Sequence, residues 1–470
     1  MTNEAYQLPD WSKLRFAILS CDLTPHLPDD WQTHHCSSWQ ILTQESLPVL
    51  HHGSSEGKTW LLGYPLSPHT ETPPADLIRG IKSSDDVPRL VTNMAGRFLL
   101  IWVDAETLQI YPDAAASLSM VYHRKAGIIT SSKGHTFNLP RGKKLADSSE
   151  RNSQVLEVSK RSGTWFPAGQ TPSEDWQLLL PNHFYSHKNG KTKVTRFWPL
   201  LPSSQARLPF LALRALRKQV SAYIASIAKS HPLEIPITAG EDSRMLLACA
   251  RQNAASIHLS TDKYNSSGNA QDIETGKAIA ADLELPHTMG DSTDPRRSTR
   301  VLLPGFAGEA LRAYYGEDRG TFPTLSTLLK CICAETEEEK QIFTQPLETW
   351  LAGLPDIPAP AAWDLAYIEL RLATTMAPRL DDYDEYHPFS IMAFASHSVF
   401  KKALEIGDFW KKRGLVGPIL LVMGWPALIF YPNNSDRWRP KPRTLLRVLY
   451  LISRFFSPRQ PEAERFLRRS

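Results

Sequence analysis

"LEIPITAGEDSRMLLACARQ", Leu233 to Gln252, joins one apolar run to a second with helical spacing, and the joint is "TAGEDS". A strand that stops at a small residue, a glycine, an aspartate and a serine, and passes straight into a helix, is the start of a βα unit. The joint has two explanations. Asp and Ser are favoured helix caps and Gly suits a tight bend, so a capped turn accounts for the composition. A helix N-terminus also presents free N–H groups and the positive end of the helix dipole, which together receive a phosphate.

The flanking sequence carries the same alternation. Upstream, "LPFLALRALRKQVSAYIASIAKS" is an amphipathic helix; downstream come the strand "ASIHLST" (Ala255–Thr261), the helix "NAQDIETGKAIAADLEL" and the strand "RVLLPG" (Arg300–Gly305). Strands alternating with helices predict a doubly wound parallel sheet, whose ligands sit at the carboxyl ends of the strands. "TAGEDS" lies at such an end. The first 200 residues read differently, as short β-rich runs bounded by turn residues: "LRFAILS", "KTWLLGYPL", "GRFLLIWVD", "TLQIYPD", "SMVYHR" and "GIITSS", then a hairpin around "KNGK". The chain of 470 residues is thus expected to make two domains, 1–200 and 201–435, followed by a tail, 436–470.

Composition narrows the classes. Hydrophobic content of 42% suits a globular protein, and the opening "MTNEAYQLPDWSKLRFAIL" lacks the basic start and apolar core of a secretory signal. Five scattered cysteines suggest no disulfide framework, so a reducing, cytoplasmic setting is expected. The C-x-C at Cys331–Cys333 and the triplet His34-His35-Cys36 have no second half at zinc spacing. The net charge of +4 conceals a split, because Arg437–Ser470 holds ten basic and two acidic residues while the rest is mildly acidic. That distribution argues against a nucleic-acid binder. The tail places Arg443, Arg447 and Arg454 on one helical face, which suits either a helix docked on the domain or a weak hold on an anionic membrane surface. Leu415–Pro432 has 18 residues without a charge, but its internal Pro418 and Pro426 favour a buried pair of short helices over a span.

Three familiar motifs are excluded. "TAGEDS" lacks the lysine of a Walker A loop and the spacing of G-x-G-x-x-G. "GSSEG" (Gly53–Gly57) matches a nucleophile elbow in letters, yet a strand follows it rather than a helix, so it reads as a hairpin turn.

The residues resemble the glutamine-hydrolysing asparagine synthetase family. Thr238, Ala239, Gly240, Asp242 and Ser243 stand at the positions of its pyrophosphatase loop, S-G-G-x-D-S. "GFAGEALRAYY" (Gly305–Tyr315) echoes its G-D-G-G-D-E-L-F-G-G-Y motif, with Gly305, Gly308, Leu311 and Tyr315 matching. "GRFLLIWVDAETLQIYPDAAASLSMVYH" and "LLLPNHFYSHKNGKTKVTRFWP" are similar to the glutaminase-like half and its junction, so the resemblance runs over roughly 14–435. It implies an Ntn-hydrolase-like α-β-β-α sandwich followed by an adenine-nucleotide α-hydrolase-like synthetase domain. It also implies ATP and Mg2+ as cofactors, with Thr238, Gly240, Asp242, Ser243, Ser260 and Gly305 at the nucleotide. Asp242 and Glu309 are implied as the catalytic carboxylates that hold the metal.

The chain departs from that pattern in several places. Thr2 stands where the family has its nucleophilic cysteine, and the first strand begins about a dozen residues later. Ala239 replaces a glycine, Glu241 adds a negative charge beside the expected triphosphate, and Phe306 and Ala310 replace acidic positions. The late family lysine is not visible; Lys441 is a loose candidate. Glu369 and Arg371 form a charged pair on an expected helix, as an ion pair or as a substrate contact. The expected function is an ATP-dependent carbon–nitrogen ligase that adenylates an unidentified carboxylate and passes it to an amine, without glutaminase activity. The alternative is an inactive binding or scaffolding protein of the same fold.

Overall fold

The computed structural model describes residues 15–23, 25–67, 72–125, 127–131, 149–199, 209–262, 270–290, 299–384 and 387–433. Thr2, Lys441 and the basic tail lie outside the described residues. The chain divides into two compact units. One takes the described residues up to 202 together with Gly320–Arg379; the other takes those of Ser203–Arg319 and those from Leu380 on. The return to the first unit at Gly320–Arg379 is an excursion that the boundaries expected from sequence do not contain.

In the first unit, the described residues form twelve strands, in order β1 (Phe16–Ser20), β2 (Trp31–Cys36), β3 (Trp39–Gln44), β4 (Val49–Gly53), β5 (Lys58–Leu66) and β6 (Ala95–Val103). Then come β7 (Thr107–Pro112), β8 (Met120–His123), β9 (Ile129–Ser131), β10 (Trp176–Leu178), β11 (His183–Lys188) and β12 (Lys191–Arg196). They form two six-stranded sheets, ordered β10-β8-β9-β1-β3-β2 and β12-β11-β7-β6-β5-β4, and every named pairing within them is antiparallel. Period-2 alternation puts Phe16, Ile18, Ile41 and Met120 of one sheet against Leu62, Leu99, Ile101 and Ile110 of the other in one buried cluster. The short helices Pro74–Arg79 and Val87–Asn93 pack on the second sheet. The "KNGK" turn closes β11 onto β12 with φ of 49° at Asn189 and 72° at Gly190, the two positive values that the tightest hairpins require. "GSSEG" is also a hairpin turn, between β4 and β5.

The second unit is built on β13 (Leu233–Pro236), β14 (Ile257–Asp262), β15 (His287–Gly290) and β16 (Val301–Leu302), all parallel and ordered β15-β14-β13-β16. From β13 the chain winds outward through β14 and β15, then β16 comes back to pair on the other side of β13. The winding direction reverses between β13 and β16, the position at which doubly wound sheets take ligands.

Helices Phe210–Ala228, Glu241–Ala250 and Val416–Gly424 pack together in this unit. Their contact is close enough to need glycine: a Cβ on Gly424 would sit 2.5 Å from the carbonyl oxygen of Ala248. The uncharged stretch thus becomes a buried helix and a 3-10 turn, Pro426–Phe430, with Pro426 at the opening of the turn. Among the described residues no helix is long and apolar enough to cross a membrane. The described residues form a mixed α/β protein with two antiparallel sheets and one parallel sheet.

Candidate functional site

The loop after β13 and the loop after β16 meet at the switch point. The first is held rigidly from behind. Arg244, nearly fully buried, donates to the carbonyl oxygens of Ala239 (3.0 Å), Gly240 (3.2 Å) and Tyr431 (3.1 Å). The Ala239 N–H donates to Oδ1 of the buried Asp272 at 2.9 Å, and the Gly240 N–H donates to Oγ1 of Thr238 at 3.0 Å. The backbone is unstrained: Gly240 has φ −67°, and Ala239 is not among the residues with positive φ. Alanine in the family's glycine position is therefore tolerated.

Gly240 is the N-cap of helix Glu241–Ala250, and no side chain caps it. Ser243 instead donates from its hydroxyl to the Gly240 carbonyl at 3.3 Å, while Asp242 turns towards the facing loop. The first-turn amides thus stand without a side-chain cap at the carboxyl end of β13.

The second loop is pressed onto this turn. A Cβ on Gly305 would lie 2.8 Å from the Ser243 nitrogen, and one on Gly308 would lie 2.9 Å from Asp242 Oδ1. Only glycine fits at these two approaches. Ala307 between them holds φ at 68°, a left-handed position in which alanine is strained. The short 3-10 helix Gly308–Leu311 follows, anchored where the buried Lys411 donates from Nζ to the Ala310 carbonyl at 3.2 Å.

This anchoring brings Glu309 and Arg312 to Asp242. Arg312 Nη2 lies 2.5 Å from Asp242 Oδ2 and 3.9 Å from Glu309 Oε1, with side-chain exposures of 31%, 21% and 16% for Arg312, Asp242 and Glu309. The two carboxylates expected to hold magnesium hold a guanidinium instead. Asp242 Oδ1 is buried and makes no hydrogen bond. Burial, then the charge of Glu309, pushes the Asp242 carboxyl well above the usual range, against the pull of Arg312 and Arg244. Among the described residues no group of three or more His, Cys, Asp and Glu side chains could hold a metal ion. As they stand, these residues do not fit a divalent ion.

The other sequence candidates fall as follows. Thr238, Gly240, Asp242 and Ser243 share one loop, Gly305 and Glu309 share the facing one, and Ser260 is buried near the carboxyl end of β14, its carbonyl accepting from the Ile237 N–H at 2.8 Å. Glu241 turns away from the crevice to lie on Gly417, whose Cα leaves room for it. Glu369 and Arg371 are not a pair. Glu369 binds Arg196, Asn182 and Trp350, while Arg371 donates to the Ser162 carbonyl. Arg244, Asp272, Arg312 and Lys411 were not singled out from sequence, although the first three lie inside "LEIPITAGEDSRMLLACARQ", "NAQDIETGKAIAADLEL" and "GFAGEALRAYY".

No family model and no curated protein matches the chain. Among solved structures it is similar to glutamine phosphoribosylpyrophosphate (PRPP) amidotransferase from B. subtilis complexed with ADP and GMP, at 9% identity and a TM-score of 0.22, over 64% of this chain and 80% of that one. A structure of the allosteric regulatory enzyme of purine biosynthesis is similar at 11% identity and the same TM-score, over 64% and 77%. Both are enzymes, but a likeness at this level settles neither the fold nor the activity of this chain.

Proposed function

We propose that the switch-point crevice receives the polyphosphate of ATP, and that the chain is an amide-forming ligase of the asparagine synthetase kind working without glutamine. The observation that supports this is the side-chain-uncapped start of helix Glu241–Ala250, set at the carboxyl end of β13 with the loop of Gly305 and Gly308 closed against it. The first-turn amides and the Ser243 hydroxyl would hold the phosphate oxygens. A substrate carboxylate oxygen would attack the α-phosphorus, and the α–β bridging bond would break with its electron pair leaving on pyrophosphate. An amine nitrogen would then attack the acyl carbon, expel AMP and lose a proton.

The test is calorimetric titration with ATP, inorganic pyrophosphate and adenosine, together with an assay for pyrophosphate release in the presence of candidate carboxylates. ATP and pyrophosphate should bind and adenosine should not, and Gly305→Val should weaken both at least tenfold by driving side-chain atoms into Ser243. Failure of both phosphate ligands to bind would sink the proposal. A non-catalytic protein of the same fold is the second possibility, favoured by the Asp242–Arg312 ion pair. It predicts binding with no pyrophosphate release from any carboxylate tried.

A further inference from the structure

We infer that Arg312 is the resident cation of this site, so that the Asp242–Glu309 pair takes up no divalent ion and an incoming polyphosphate meets a guanidinium directly. The inference concerns the carboxylate pair alone and holds whether or not ATP is the physiological ligand.

Both oxygens of Asp242 are closed to a metal. Oδ2 carries Arg312 Nη2 at 2.5 Å. Oδ1 is buried and faces Gly308 so closely that a Cβ there would sit 2.9 Å away. A magnesium or manganese ion bound near 2 Å keeps several waters around it, and on the Oδ1 side the Gly308 backbone packs where those waters would have to fit. Glu309 is 3.9 Å from the same guanidinium, so Arg312 reaches both carboxylates.

The guanidinium is held in place by its backbone. Arg312 follows directly on the 3-10 helix Gly308–Leu311, and its N–H donates to the Glu309 carbonyl at 3.0 Å. Ala310 and Leu311 are buried, and Lys411 fixes the Ala310 carbonyl. A divalent ion would have to displace a cation already paired and would then face it across a few ångströms. Arg312 remains about one-third exposed, with Nη2 engaged by Asp242 and Nε buried, so a phosphate oxygen would meet only the outer part of the guanidinium. Anion recognition here therefore needs no bridging metal.

The experiment uses Mn2+ alone as the probe, with its uptake followed by electron paramagnetic resonance on the full-length parent, Asp242→Asn, Arg312→Gln and the double variant. The parent and Asp242→Asn should take up Mn2+ identically. Arg312→Gln should gain a site at least about tenfold tighter than any in the parent, and adding Asp242→Asn should remove that gain. Asp242-dependent uptake by the parent, or no gain in a folded Arg312→Gln, overturns the inference. If Arg312→Gln does not fold, Arg312→Ala takes its place, and the comparison of parent with Asp242→Asn decides by itself. A parallel titration with inorganic pyrophosphate, with and without chelator, separates the two proposals. Equal binding in both conditions supports Arg312 as the cation, and binding that requires Mg2+ refutes it. Absence of pyrophosphate binding removes the nucleotide proposal and leaves the Mn2+ result to decide this one.

Discussion

Replacing Arg196 by Met should be among the most damaging single changes in the first unit. Glu369 is fully buried, and each of its oxygens takes two donors. Arg196 gives Nη1 to Oε1 at 2.6 Å and Nη2 to Oε2 at 2.7 Å; Asn182 adds a bond to Oε1 at 2.7 Å, and the Trp350 indole adds one to Oε2 at 2.6 Å. Met has a similar length but no charge, so it leaves a carboxylate in the interior with two neutral donors. Breaking one side of such a pair costs about 3–5 kcal/mol, which in urea denaturation followed by circular dichroism should lower the midpoint by roughly 1–2 M.

Two controls carry the physical argument. The double variant Arg196→Met/Glu369→Gln should recover a good part of the loss, because no uncompensated charge remains. The pH dependence should also change. Burial raises the Glu369 carboxyl, but Arg196 and Asn182 outweigh it and hold it below its ordinary value of 4.5. A lowered folded value means the folded state binds protons less readily than the unfolded one. The stabilisation is therefore present above about pH 4.5 and is lost as the pH falls through the folded value. The parent should lose stability over that acid window more steeply than the double variant. An Arg196→Met protein within about 0.5 kcal/mol of the parent would refute the reasoning, since that is the range of a surface change, and would revive Glu369 as a substrate contact.

Three further outcomes follow from packing, burial and backbone strain. Gly424→Ala should cost about 1–3 kcal/mol in the same denaturation assay, because the new methyl meets the Ala248 backbone, whereas Gly320→Ala, with nothing within 4 Å of its Cβ, should stay within about 0.5 kcal/mol. In native protein, iodoacetamide at pH 8 should label the exposed Cys21 well before Cys249, whose thiol burial pushes up to about 12; mass spectrometry showing Cys249 labelled at a similar rate would count against the buried packing. Ala307→Gly should raise stability by about 0.5–1 kcal/mol by relieving a left-handed alanine, and a loss of stability would show that the strain assigned to φ 68° is not there.

The parts of the fold that were legible in the sequence are those whose pattern is local. Leu233, Ile235 and Leu259 are buried in a parallel sheet with helices between its strands, and such strands read as short apolar runs bounded by helices. β5 reads from Lys58 to Leu66 without error because apolar residues fill it and turn residues bound it. β2 escaped notice for the opposite reason: it is an edge strand whose Gln32, Thr33 and His35 stay largely in water, leaving only Trp31 and Cys36 fully inside. The return of Gly320–Arg379 to the first unit was not legible either. It rests on contacts such as Arg196 with Glu369, 173 residues apart, and helical periodicity says only which face of a helix is buried, not what covers it.

The same distinction governs the switch-point site. Sequence placed Asp242 and Glu309 together by resemblance, and the structure does bring their loops into contact, but the cation between them comes from Arg312, whose role depends on a loop closing across 70 residues. It also explains why "TAGEDS" reads equally well as a cap and as an anion seat. The two residues best able to cap the helix are engaged elsewhere, Asp242 with Arg312 and Ser243 with the Gly240 carbonyl. The N-cap falls to Gly240, which has no side chain to offer. A glycine N-cap in place of Ser or Asp costs only a few tenths of a kcal/mol, and a left-handed Ala307 in the facing loop costs about 1–2 kcal/mol. Two local penalties sit on opposite walls of one crevice, where a change of one residue on either wall would remove one of them. Local penalties of this kind concentrate where a fold binds something, and an uncapped helix start beside a part-exposed guanidinium is the arrangement on which the proposed anion site rests.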